Sequence, residues 1–276
     1  MCRCVQHIIP AGPDPEKKES ATIPNACLNA MFPRSFRAGC VVVIILTSLS
    51  ACSTQPDPDK PASVLNLDNW KLSVPVVSNS DGHPSEILQP ELRHYSSKYL
   101  SVAPGRKEVI FQTPAQSAIQ PGSEFPRTEL REMTDGGQQE AKWSTRTGTH
   151  QLVVEQAVTA LPTTTPDVIV GQIHNADEFV LIVRLDGKHL YSRTQDGKTD
   201  TLNDNYNLKT FFTLKILATE GSISVYYNDE LKASHKKNCS SCYFKAGMYL
   251  QTNTDSGESP DSIGEVHIRS LEVSHH

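Results

Sequence analysis

From residue 64 onward the chain alternates apolar and polar positions in short runs. "WKLSVPV" (70–76) comes first, then "KEVIFQTP" (107–114), "HQLVVEQAV" (150–158), "DVIVGQIH" (167–174) and "EFVLIVRLDG" (178–187). "FFTLKILATEG" (211–221), "SISVYYNDE" (222–230), "CYFKAGMYLQ" (242–251) and "GEVHIRSLEV" (264–273) follow. A period of two with β-branched and aromatic residues, bounded by Gly, Pro, Asp and Asn, predicts strands. "LDGK" and "YNDE" predict hairpin tips. The best helix candidate is "SEILQPELRHY" (85–95), which Pro90 limits. There is no repeat and no βαβ rhythm. The pattern predicts an all-β chain folded as an antiparallel two-sheet β-sandwich of jelly-roll type.

The first part of the chain breaks that rhythm. Residues 1–30 show no periodicity, and Met31 is expected to be the true start. Arg34 and Arg37 then precede a short apolar run from Cys40 to Leu49, followed by small residues. This predicts an export signal, too short to span a bilayer comfortably. Leu49-Ser50-Ala51-Cys52 further resembles a bacterial lipobox, with Cys52 receiving lipid; the alternative is an ordinary signal cut at Ala51. Residues 52–63, rich in Pro and Asp, are expected to be a tether, with the folded domain over 64–276. Ser53 after the cysteine points to an outer-membrane or surface lipoprotein, otherwise a periplasmic or secreted protein.

Cysteine usage agrees with export. Five of seven cysteines fall at or before Cys52, leaving Cys239 and Cys242 in the domain. A C-x-x-C pair can be half a zinc site or a redox pair. Zinc needs further ligands, and no second Cys/His pair has suitable spacing. No helical pattern supports a redox motif, so a small structural disulfide is expected. The net charge of −5 and the lack of a basic run exclude a nonspecific nucleic-acid binder. No acidic cluster has calcium-loop spacing, so neither metal nor cofactor is expected.

Three strands carry unusual polar faces. "RTELR" puts Arg127, Glu129 and Arg131 on one side; "GQIH" puts Gln172 and His174 opposite Ile173. "YFKAGMYLQ" puts Tyr243, Lys245, Tyr249 and Gln251 opposite Phe244, Ala246, Met248 and Leu250. An ordinary solvated face mixes Lys, Glu, Thr and Ser. Arg, Gln, His and Tyr instead read planar or acidic ligands through forked and amide donors. Taken singly, each row also fits a structural ion-pair ladder.

Together these blocks, with "WKLSVP" as the opening strand, resemble the alginate lyases of polysaccharide lyase family 7 over roughly residues 66–273. The resemblance implies a jelly roll whose concave sheet forms a groove for a chain of uronic acids. It implies lyase chemistry: removal of the C5 proton and expulsion of the 4-O-linked sugar. Arg127, Gln172 and His174 would neutralise the substrate carboxylate, so that charge can develop on it. Tyr249 would be the catalytic tyrosine. For mannuronate it would act as base and then acid; for guluronate His174 would be base and Tyr249 acid. Arg127 and Lys245 would favour the phenolate of Tyr249. Arg131, Tyr243, Lys245 and Gln251 would bind substrate, and Glu129, placed in the same row, would orient the arginines. In this family isoleucine in the Gln-x-His block accompanies guluronate activity, so Ile173 implies guluronate-containing blocks and a poly(guluronate) lyase, expected to cut within the chain.

Removing residues 1–51 leaves 21 basic and 28 acidic residues, a net of −7. An acidic protein can bind an acidic polymer only through a locally positive groove, with remote charge screened beyond about 8–10 Å. Two other readings compete: a noncatalytic carbohydrate-binding sandwich, and a lyase for another polyuronide such as glucuronan. Binding modules use exposed aromatic platforms, yet Trp70 and Trp143 lie outside the three rows. The expected partners are alginate and, through the lipid alone, a membrane; the expected state is a monomer.

Overall fold

A computed structural model describes residues 57–77 and 84–276. The described residues form sixteen strands. In chain order they are β1 (Trp70–Val77), β2 (Pro84–Ile87), β3 (Leu100–Val102), β4 (Val109–Pro114), β5 (Arg127–Thr134) and β6 (Gln139–Glu140). Next come β7 (Thr149–Ala160), β8 (Asp167–His174), β9 (Phe179–Asp186), β10 (His189–Thr194) and β11 (Thr199–Asn203). The last are β12 (Phe212–Thr219), β13 (Ser222–Tyr227), β14 (Glu230–Lys236), β15 (Tyr243–Leu250) and β16 (Ile263–His275). One short α-helix, α1, covers Glu91–His94, and two 3-10 turns cover Pro61–Ser63 and Thr254–Ser256.

Two antiparallel sheets pack face to face. One runs β11-β10-β9-β8-β15-β5-β1-β2 with β6 attached to β5; the other runs β14-β13-β12-β7-β16-β4-β3. Non-sequential neighbours such as β8, β15 and β5 show the crossing connections of a jelly roll. Leu130, Ile173, Phe244, Ala246 and Met248 of the first sheet meet Val154, Leu214, Ile216, Val266 and Ile268 of the second in one core. Burying each large aliphatic or aromatic side chain contributes about 1.5–3 kcal/mol. The hairpin tips fall at Gly187-Lys188 and Asn228-Asp229, between the strands the turn residues separate.

The sheets differ in their second face. β12 and β7 alternate buried with half-buried positions, as a strand with one wet face should. β5, β8 and β15 are buried on nearly every residue. Their polar rows are therefore enclosed, not solvated, and enclosed polar groups need partners.

Two expectations change. The helix over 85–95 shrinks to Glu91–His94, because residues 84–87 extend as β2 and pair with β1 through Leu72–Ile87 and Ser73–Glu86. The described part of the expected tether, residues 57–63, forms turns against the domain. Pro61 is buried there and Asp59 pairs with Arg106 at 2.6 Å. Residues 1–51 and Cys52, where the export signal and the lipid were expected, lie outside the described residues.

Cys239 and Cys242 are joined by a disulfide in the turn ahead of β15. Cys242 pairs backbone to backbone with Trp143, whose indole N–H donates to Glu132 at 3.0 Å. The same Glu132 oxygen accepts the Phe244 N–H at 2.8 Å. The turn is thereby pinned to β5, which fixes where Tyr243 begins the site strand.

Candidate active site

The three polar rows lie on adjacent strands, in the order β8, β15, β5. Their register stacks them into rungs. Tyr243 sits abreast of His174; Lys245 lies between Arg131 and Gln172; Gly247 faces Glu129; Tyr249 lies between Arg127 and Ile169. Lys71 of β1 extends the second rung beside Arg131. Pairing with β8 slips between Ala246 and Tyr249, so three steps on β15 match two on β8. Such a bulge re-aims side chains. It brings Ile169 into the cleft beside Gln172, although the two are an odd number of residues apart.

Gly247 is what lets β15 lie so close. Its φ is +133°, and a Cβ there would stand 2.6 Å from the Thr128 carbonyl oxygen and 3.0 Å from the Glu129 Cα. Only glycine fits.

Glu129 is the hub beneath the site, at 1% exposure. One of its oxygens accepts from Lys245 at 2.6 Å and from Arg127 at 3.2 Å; the other accepts the Gln172 amide. Burial pushes its pKa up, but Lys245, Arg127 and these hydrogen bonds outweigh burial and hold it low. For Lys245 burial wins instead and lowers the pKa to about 8, against the pull of Glu129. At about 8 the lysine is still mostly protonated at neutral pH, so both partners carry charge. The carboxylate with its three donors is the firmer end, so the ionised Glu129 is the state that holds the row. With both oxygens taken, Glu129 does not line the groove as a substrate contact. It orients Arg127, Gln172 and Lys245 from below.

Arg127 also donates to Ser123 Oγ at 2.6 Å, and its guanidinium lies 3.8 Å over the Tyr249 ring. Its Nε is buried with no partner. A buried, unspent donor on a cation is a ready site for an anion. Arg131 lies 4.0 Å over the Tyr243 ring and donates to the Glu132 carbonyl at 2.6 Å.

His174 holds its Nδ1 2.7 Å from the Asn175 carbonyl and 3.2 Å from the Tyr243 hydroxyl. The carbonyl can only accept, so Nδ1 carries the proton and Nε2 keeps its lone pair. Nε2 has no hydrogen-bond partner among the described residues. Burial lowers the His174 pKa, with Lys245 and Arg127 adding to it against the Asn175 hydrogen bond, which keeps the ring neutral. Tyr249 reverses the sequence expectation. Burial raises its pKa and outweighs the pull of Arg127, while Glu129 and Glu124 push the same way as burial. The phenol is therefore protonated at rest.

Two adjoining clefts lie over these rows. One of about 670 Å³ is lined by Arg127, Gln172, His174, Lys245, Tyr249 and Gln251 among others. The second, about 390 Å³, shares Arg127, Tyr243 and Lys245 and continues past Arg131 to Lys71 and Lys142. Gln251 turns its amide to the Leu250 carbonyl at 2.7 Å and sits at the cleft wall. Sequence reasoning missed Ser123, Lys71, Ile169 and the Asp167–Arg184 pair at the far wall, which is held by a two-pronged contact. Lys71 alternates correctly within the opening strand, but only the pairing of β1 with β5 shows that it joins the rung. Among the described residues no group of three or more His, Cys, Asp or Glu is arranged to hold a metal ion.

Comparison with known proteins agrees with this geometry. The family model described as alginate lyase matches residues 65–275. The fold is similar to that of the alginate lyase AlgAT5 from polysaccharide lyase family 7, at 44% identity and TM-score 0.75. That match covers 79% of this chain and 99% of the other. It is also similar to an alginate lyase from Corynebacterium sp., at 38% identity and TM-score 0.75, covering 80% and 100%. The alginate lyase A1-II' of the same family matches at 25% identity and TM-score 0.68, covering 78% and 98%. No match was found among curated proteins. The rows on β5, β8 and β15 and the match over nearly all the described residues lead to one assignment: the chain belongs to the alginate lyases of polysaccharide lyase family 7.

Proposed function

We propose that this chain cleaves alginate within the polymer by β-elimination, with preference for guluronate-containing blocks, and releases unsaturated oligosaccharides. The reading rests on one arrangement: a neutral His174 with a bare Nε2 shares a cleft with a protonated Tyr249. Environments that push an acid and a base apart mark their roles.

Arg127 offers its guanidinium charge, and Gln172 the amide hydrogen not spent on Glu129, to the uronate carboxylate, whose charge must be stabilised as the C5 proton leaves. His174 Nε2 takes that proton. The C4–O bond breaks, a C4–C5 double bond forms, and the Tyr249 hydroxyl protonates the leaving oxygen. Two groups on opposite sides of the sugar suit guluronate, where proton and leaving group lie on opposite faces. Mannuronate needs one group to serve as base and then acid, and a phenol whose pKa is raised begins that route in the wrong state. Ile173 is fully buried in the core, so its link to guluronate acts through strand packing. The breadth of the groove supports cutting within the chain. The groove crosses from Lys71 on β1 to Arg193 on β10, five strand spacings or roughly 24 Å.

The test compares initial rates of unsaturated product on polyguluronate, polymannuronate and mixed alginate, with product sizes followed over time. Faster polymannuronate turnover overturns the preference; monomer release from the start overturns internal cleavage. His174→Asn is expected to abolish polyguluronate cleavage and spare part of the polymannuronate activity. Equal loss on both assigns His174 to carboxylate neutralisation instead. We further propose that the protein is exported as a monomer and anchored through lipid on Cys52; release of wild type into the medium without acyl mass overturns the anchor.

A further inference from the structure

The second rung carries a charge problem. Lys71, Arg131 and Lys245 stand abreast on three neighbouring strands, where like charges repel. Three carboxylates, Glu129, Glu140 and Glu86, offset them, and they do so differently. Glu129, buried, holds Lys245 at 2.6 Å. Glu140, on the two-residue strand β6 and 46% exposed at its side chain, meets Lys71 at 3.5 Å, Arg131 at 3.3 Å and Lys142 at 3.9 Å. Three cations thus converge on one carboxylate, and none holds it at close range. Lys71 is shared with Glu86 at 2.9 Å. Lys71 and Arg131 are the enclosed partners, at 14% and 9% exposure, and the carboxylate and Lys142 are the accessible ones. Lys71, Glu86, Arg131, Glu140, Lys142 and Lys245 all line the cleft that continues the catalytic one.

We propose that Glu140 is an internal counter-ion that occupies a uronate-carboxylate position in this arm of the groove, and that a bound polyuronate displaces it. Lys71 and Arg131 are held in place by the paired strands β1 and β5, so an incoming carboxylate finds them preorganised. An exposed pair with loose geometry contributes little stability and is cheap to exchange. Glu140 therefore keeps the empty arm from repelling itself and weakens binding by competition. It acts on affinity for chains that reach past Arg131, not on the elimination step.

The inference rests on the lyase reading, and the experiment separates the two. Binding of a guluronate oligosaccharide is measured by calorimetry on the full chain in a Tyr249→Phe background, which keeps the ligand intact. Glu140→Gln and Glu140→Ala are each compared with the parent, and melting temperature reports folding. Both variants are expected to bind about 2- to 5-fold more tightly, as removal of one exposed competing pair implies. Affinity should also fall more steeply with added salt, because more protein charge is left for the ligand to meet. Equal or weaker binding in both folded variants overturns the counter-ion role and makes Glu140 a support for Arg131. Failure of the lyase reading shows separately, as wild type without unsaturated product from any uronate polymer.

Discussion

Two strands of this protein carry the same written pattern and put it to opposite uses. β5 alternates Arg127, Glu129 and Arg131; β16 alternates Glu265, His267 and Arg269. On β16, His267 meets Glu108 at 2.9 Å and Glu265 at 3.1 Å, and Arg269 reaches Glu108 at 2.9 Å and Glu155 at 3.4 Å. Three acids answer two bases, and Glu265 takes further bonds from Thr159 and Gln112. On β5 the balance is reversed. Arg127 and Lys245 share one buried Glu129, and the Arg127 Nε remains unspent. Alternating charge by itself therefore says nothing about function. An enclosed surplus of one sign, with a donor left over, does.

The comparison can be broken, and the largest expected effect is on turnover. Tyr249→Phe should cut kcat by about 10²–10⁴-fold with binding retained, since it removes one proton donor and keeps the ring under Arg127. His267→Ala on the other sheet should leave kcat at the wild-type value. Full activity in Tyr249→Phe would return the groove rows to the same structural class as β16. Arg127→Ala comes next. It should lower kcat by about 10²-fold and raise KM as well, because the guanidinium meets the carboxylate before and during reaction.

Stability sharpens the contrast further. Glu129→Gln removes the charge from a buried hub and should cost about 3 kcal/mol, measured by denaturant midpoint, with a parallel loss of activity. Glu265→Gln on the half-buried row, which leaves no enclosed cation without a partner, should cost less than Glu129→Gln. Equal costs would mean that enclosure does not distinguish the rows. The smallest effect is on pH. The Glu265 pKa is lowered to about 2, first through its His267 hydrogen bond, so its contribution is present above its ordinary value and fades as pH falls toward 2. The His267 pKa is raised, first by Glu265, so its contribution is full below its ordinary value and fades as pH rises through the shifted one. Thermal melts across pH should show both slopes in wild type; His267→Ala should lose the one at higher pH and keep a weaker acid slope, since Thr159 and Gln112 still bond to Glu265.

Much of the sandwich could be read from alternation. The long strands β7, β8, β12, β15 and β16 carry β-branched and aromatic residues at period two, and the sheets place them near the stated bounds. β11 and β14 were missed because each is an edge strand that buries one residue; β10 alternates, but two of its three buried residues, Ser192 and Thr194, are polar and give no hydrophobic row. The row residues were visible as side chains of unusual type. Their depth was not. Nothing in the local sequence says that Glu129 is enclosed while Glu265 is half-open, because depth depends on which strands flank each row. For the same reason the Tyr249 phenol was expected to ionise easily. The charges near it could be read, but the burial that outweighs them could not.

Gly247 carries a consequence for anyone who would reshape this enzyme by mutation and selection. A methyl group at 247 has nowhere to go but into the β5 backbone, and β15 would have to move away from Arg127 to admit it. A library at this position should have no gradient: alanine should fail much as leucine does, and selection would return one solution. Tyr243, at the start of the strand, and Gln251, just past its end, already carry side chains that line the cleft and can accept graded change. The strand is a ruler with one fixed mark, and improvements to the enzyme have to be sought on either side of it.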